Sequence, residues 1–242
     1  MANIRQQLKA DTAHRQEIAA DAIHWTQEHR NAIIFTLVGA IVVALAILGV
    51  YAYLQKQNNQ AAAALGHAMH VLNSPVRQAG QPVDPNELSF GSAQERDKAA
   101  LGEFEAIAGK YPRTDAGRYS LYLAGVVQLD SNDAAGAEKS FQRAKDEGND
   151  QVSSLGKLAL ANLYVSEKRD QDAIKLYNDL IDHPTTAVPK ATSELQLAQF
   201  YEAKKQNADA VKIYDQMQKD NAKNPIGDLA EKKIAQLKAS VK

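Results

Sequence analysis

The sequence predicts an all-α chain: one membrane-spanning helix near the N-terminus, then a solenoid of about three to four helix pairs closed by a capping helix. Two observations carry this. An uninterrupted apolar run of helix-spanning length begins at Ala32, and a set of small, aromatic and apolar residues recurs at a fixed period from Ala100 onward. Composition agrees, with 45% hydrophobic residues, few aromatics and no cysteine. Abundant alanine favours close-packed helices over sheets.

The segments are a polar leader (residues 1–31), the apolar span (32–54), a first helix with a Pro- and Gly-containing loop (55–98) and the repeat domain (99–242). In the leader, Ile4, Leu8, Ile18, Ala22 and Trp25 form an interrupted apolar stripe. It suits a helix on the inner leaflet, a contact with a cytoplasmic partner, or a solvated extension of the span.

From Ala32 to Leu54 no side chain is charged. Such a run makes a helix of roughly 34 Å, enough for a hydrocarbon core of about 30 Å. Arg30 and Lys56 bracket it, and Trp25, Tyr51 and Tyr53 lie where interfacial aromatics belong. A buried core helix would not be apolar on every side for so long. A cleaved signal peptide is the closer rival, but the leader is long and polar, the apolar run exceeds a usual h-region and no convincing small-x-small cleavage site follows. The segment reads as an uncleaved signal-anchor. Arg5, Lys9, Arg15 and Arg30 precede the span, whereas only Lys56 lies in the first twenty residues after it. That bias puts the N-terminus in the cytoplasm and the C-terminal domain outside it, in the periplasm of a bacterium.

Ala61 to Leu72 continues as a further helix, and the stretch Ser74 to Ser92, with Pro75, Pro82, Pro85, Gly80 and Gly91, reads as a disordered or functional loop. Beyond it the repeat is explicit. Ala100, Ala137, Ala173 and Ala210 are spaced by 37, 36 and 37 residues. Phe104, Phe141, Tyr177 and Tyr214 follow four positions later, and Ile107, Ala144, Leu180 and Met217 three beyond those. A small residue, an aromatic at i+4 and an apolar residue at i+7 make one buried helical face. Twelve residues before the last three alanines stand Gly125, Ala161 and Ala198, marking a partner helix in each unit. Tyr164 and Tyr201, with Gln128 in the first unit, come three residues after them. Small residues at facing positions let paired helices approach, and the tyrosines fill the space between neighbouring pairs. Lys157 and Glu194 occupy a position that suits a large apolar side chain. After the last unit, Leu229, Ile234 and Leu237 mark a capping helix, which a solenoid needs to cover its final apolar face.

This pattern resembles the tetratricopeptide (TPR) repeat, with a small residue in each helix, tyrosine in the first and an aromatic in the second. The period exceeds the usual 34 by two or three residues, so the units are TPR-like. Leader, span and degenerate units together, with repeat residues such as Ala173-Ile174-Lys175-Leu176-Tyr177, resemble the YfgM-like family of bacterial inner-membrane proteins. The resemblance implies an ancillary subunit of the Sec translocon, with a periplasmic TPR domain that assists exported proteins. The partners it implies are translocon subunits, exported clients or periplasmic chaperones.

No catalytic constellation is present: no glycine-rich phosphate loop, no G-x-S-x-G and no H-E-x-x-H. Lys+Arg and Asp+Glu nearly cancel, 28 against 29, so no overall field points to nucleic acid. His67 and His70 form an i, i+3 pair, but two ligands do not make a metal site. The sequence therefore reads as non-enzymatic, with no cofactor, no metal and no small-molecule substrate. Binding is what a helical solenoid offers. The repeat register projects Tyr119, Tyr122 and Val126, then Leu158 and Asn162, then Leu195 and Gln199 along the concave surface of the first helices. That row suits an apolar or amphipathic protein segment. It lacks the basic residues of a carboxylate clamp. The same residues could instead pack against the neighbouring unit. An anchored receptor or assembly factor for another membrane complex, facing the cytosol, is the alternative function.

Overall fold

The computed structural model describes residues 25, 27, 29–77 and 88–239, and among them it is all-helical, without strands. The order is α1 (Arg30–Leu72), α2 (Ala93–Lys110), α3 (Asp115–Asp130), α4 (Ala134–Glu147), α5 (Asp150–Ser166), α6 (Asp170–Asp182), α7 (Lys190–Ala203), α8 (Asn207–Asp220) and α9 (Pro225–Ala239). The leader stripe from Ile4 to Ala22 lies outside the described residues. The chain divides into two compact units, residues 1–56 and 57–242.

In the first unit, α1 is long and apolar enough to cross a membrane. Large apolar side chains from Ile34 to Leu54 are between 48% and 76% exposed. Water would leave this surface unsatisfied by any packing, whereas a bilayer covers it all round.

The second unit is an array in which each helix from α2 onward packs on the next in sequence and α3 also touches α5. Its cores run from pair to pair. Ala61, Ala68 and Val71 of α1 close over Ala100, Phe104 and Ile107 of α2. Residues of α4 to α7 form a second core, and α7, α8 and α9 a third. The end of α1 is thus the first helix of a first pair, and α3–α4, α5–α6 and α7–α8 are three more. All twelve residues of the repeat pattern are buried, none more than 5% exposed.

The small residues act as the spacing predicts. A methyl group on Gly125 of α3 would lie 2.5 Å from the Phe141 ring of α4. Ala161 and Ala198 are fully buried at the matching places. A second small column, Ser120, Gly156 and Ser193, repeats at 36 and 37 residues and is also buried. Gly156 shows its purpose: a Cβ there would come within 2.8 Å of the Lys145 amide and 2.9 Å of the Phe141 carbonyl. One column therefore admits the partner helix of the same pair, and at Gly156 the other admits the preceding pair.

Side-chain caps start the earlier helices: Ser92, Thr114, Asp133 and Asn149 accept from the amides of Glu95, Gly117, Gly136 and Val152. Between the two helices of each later pair the turn is the same. Asn132, Lys168 and Lys205 adopt φ of 62°, 62° and 59°. The amides of Asp133, Arg169 and Gln206 then close back onto the carbonyls of Gln128, Tyr164 and Tyr201. This is the Schellman stop, which glycine normally occupies.

One expectation needs correction: Leu229 is not on the buried face of the capping helix. Leu229 is 39% exposed; the buried face of α9 is Gly227, Ala230, Ile234 and Leu237. The stretch Ser74 to Ser92 is ordered at both ends. Val76 bridges Phe90, with the Arg77 amide on the Phe90 carbonyl at 2.9 Å and the Phe90 amide on the Pro75 carbonyl at 3.1 Å. Residues 78–87 of it, with Gly80, Pro82 and Pro85, lie outside the described residues. The charges at 157 and 194 are each accommodated. Lys157 reaches Asp179 of α6 at 2.6 Å, while Glu194 is only 2% exposed and faces Lys190 at 3.5 Å.

Candidate functional site

The first helices of the last three pairs carry the predicted row. On α3, Tyr119, Tyr122 and Val126 fall at helical spacing on one face, followed by Leu158 and Asn162 on α5 and Leu195 and Gln199 on α7. Tyr119, Tyr122, Val126, Leu158 and Leu195 are half-buried, whereas Asn162 and Gln199 are exposed. The tyrosines stack with ring centroids 5.7 Å apart, and Tyr122 leans on Phe141 at 5.9 Å. Burial and the neighbouring Tyr119 push the Tyr122 phenol above its usual pKa.

Tyr122, Val126 and Leu158 pack against the same core, so the row is continuous from α3 to α5. Leu195 packs instead against the last core. Each of the five half-buried side chains therefore packs on its neighbours with one flank and is open on the other. Asn162 is tied back, accepting from the Tyr177 hydroxyl at 2.6 Å. Burial raises the Tyr177 phenol to about 12, so it stays a donor at every physiological pH.

Two residues of this face escaped the register argument. Leu129 follows Val126 by three positions and is 41% exposed, and half-buried Leu155 precedes Leu158 by three. The i, i+3 spacing was the available signal. None of the nine residues named here is charged. Ion pairs elsewhere tie different helices and their caps together. Arg169 bonds Glu138 at 2.7 Å with its guanidinium 3.7 Å over the Tyr164 ring, and Lys204 meets Asp170 at 2.7 Å. The face can therefore bury apolar side chains and satisfy a few amides, but it offers no fixed charge to read.

His67 pairs across to the next helix. Its Nδ1 lies 2.8 Å from Glu103 of α2, joining the two helices of the first pair. His70 stands exposed one turn on. Among the described residues there is no group of three or more side chains that could hold a metal ion.

The tetratricopeptide repeat-like domain family matches residues 24–187, from just ahead of the apolar helix to the loop after α6. The fourth pair lies beyond the matched region and carries the same buried pattern, with Ala210, Tyr214 and Met217. No curated protein and no solved structure matches the chain significantly. The repeat register, the paired helices and a match over more than half of its length agree: the chain belongs to the tetratricopeptide repeat-like domain family.

Proposed function

We propose that this protein is a membrane-anchored scaffold that holds segments of other proteins against the first-helix face of its repeats. The repeat-like domain implies a protein-interaction scaffold. The observation that carries the finer reading is the uncharged, half-open row of Tyr119, Tyr122, Val126, Leu158 and Leu195, on an array with buried, self-consistent cores. Such a surface favours apolar or amphipathic segments and tolerates sequence variety, because it reads burial rather than charge.

The apolar stretch of α1 supplies the anchor, and the basic bias of the leader directs the repeats to the far side of the cytoplasmic membrane. With the resemblance to YfgM-like proteins, this supports a place beside the Sec translocon, assisting newly exported chains or their chaperones. The test is a photo-crosslinking residue at exposed Gln199 of the full chain in native membranes. Adducts with translocon subunits or exported proteins are expected. Adducts confined to cytosolic proteins would favour an anchored receptor facing the cytosol, and lipid adducts alone would remove the face from consideration.

A further inference from the structure

The last core of the array is self-contained: every residue of it belongs to α7, α8 or α9. Polar side chains tie the same three helices together. Lys190 of α7 bonds Asp220 of α8, while Glu202 of α7 accepts from the Tyr214 hydroxyl of α8 and meets Lys233 of α9 at 3.2 Å. Toward the preceding pair, Leu197 and Phe200, with Tyr201 and Ile213, join the middle core, and Lys204 meets Asp170 at 2.7 Å. The connection there is the longest between pairs, residues 183–189, against 111–114 and 148–149 earlier. Most of it is tied to α5. Thr185 bonds Ser154 at 2.7 Å, and Gln151 accepts from the Thr186 hydroxyl at 2.7 Å and the Ala187 amide at 2.8 Å. After Pro189, α7 starts without a side-chain cap. The joint between the tied loop and the uncapped helix is the natural hinge.

Within these three helices Glu194 is 2% exposed, and one of its oxygens has no hydrogen-bond partner among the described residues. The hydroxyl of Ser193, fully buried beside it, has none either. Lys190 stands 3.5 Å from Glu194 but is shared with Asp220. At the same place in the third pair, Lys157 is more open to water and meets Asp179 at 2.6 Å. Among the described residues, the charged groups acting on Glu194 are Lys190 of its own helix and Asp220 of α8. Burial outweighs the lysine and holds the Glu194 proton on to higher pH than an ordinary carboxyl. No histidine lies in α7, α8 or α9.

We propose that α7, α8 and α9 open from the array as one unit, and that the proton on Glu194 keeps the unit shut. Opening brings water to the carboxyl and lets the proton go. The closed form is therefore firmest where Glu194 is protonated, and loses stability as pH rises through its folded value. Because α7 carries Leu195 and Gln199, opening withdraws the last part of the first-helix face; that consequence alone rests on the function proposed above. Any solenoid frays at its end, where the terminal pair is covered on one side only. Fraying is graded, with α9 opening first and Glu194 taking no part.

Hydrogen exchange of the full chain in detergent micelles reads the opening without any client. It is followed by mass spectrometry from about pH 5 to about pH 7 and corrected for intrinsic exchange rates. The centres of α7, α8 and α9 should share one level of protection, below that of α4 and α5, and this level should fall with pH in the wild type. Glu194→Gln mimics the protonated carboxyl and should keep the acid level of protection throughout. Glu194→Leu should do the same without a buried polar atom. Protection that steps down from α7 to α9, or one level shared with α4 and α5, overturns the proposal. So does a fall with pH that persists in both variants, which would assign the proton to another group such as His183 of the connecting loop.

Discussion

Gly125 of α3 and Phe141 of α4 meet so closely that a single methyl group on the glycine would lie 2.5 Å from the ring. Helix propensity alone predicts that Gly125→Ala stabilises the chain by about 1 kcal/mol. The contact predicts the opposite, because the Phe141 ring is 1% exposed and hemmed by its core. Gly125→Ala should destabilise the repeat domain by about 1–3 kcal/mol, read as a lower urea midpoint by far-ultraviolet circular dichroism.

Lys168 and Lys205 hold left-handed backbone at the stop of α5 and α7. Replacing either by glycine removes the Cβ clash and should stabilise by about 1 kcal/mol. Asn132, at the same place after α3, tolerates this conformation better, so Asn132→Gly should gain less. Thermal melts of the three variants rank them.

Glu194 is buried where the repeat suits an apolar residue, and one of its oxygens has no hydrogen-bond partner. Glu194→Leu should be neutral or stabilising, by up to about 3 kcal/mol, with Lys190 retained by Asp220. Burial raises the Glu194 carboxyl above the usual carboxylate range. The folded state therefore binds this proton more tightly than the unfolded state. Its contribution is greatest below the ordinary carboxyl pKa and declines as pH rises through the elevated folded value. Urea midpoints from pH 4 to 7 should show that decline in the wild type and less of it in Glu194→Leu.

The basic residues ahead of α1 predict a C-terminus outside the cytoplasm. Alkaline phosphatase fused after Lys242 should be active in a bacterial host, and a fluorescent protein that matures only in the cytosol should stay dark. The reverse pattern would fit the cytosol-facing receptor.

The repeat was legible because its buried positions use residues that stand out at a fixed period: alanine, then an aromatic, then an apolar residue. The Ser120, Gly156 and Ser193 column repeats as regularly, but no aromatic marks it and serine is common on surfaces. The first pair was only half visible, since the insertion between Leu72 and Ala93 breaks its register while Phe104 and Ala100 keep theirs. Leu229 is apolar yet exposed, because size and not hydrophobicity decides which face of α9 packs. The close approach of α9 to its neighbour needs Gly227, whose Cβ would lie 2.2 Å from the Asn221 carbonyl.

The proposed binding face is tested most directly at Leu158, which is half-buried, uncharged and in the middle of the row. The decisive measurement is the yield of exported proteins crosslinked from Gln199 in native membranes, compared between the wild type and Leu158→Glu at matched expression and helicity. The account predicts a loss of about tenfold or more in that yield. An unchanged yield from a folded Leu158→Glu protein would contradict it.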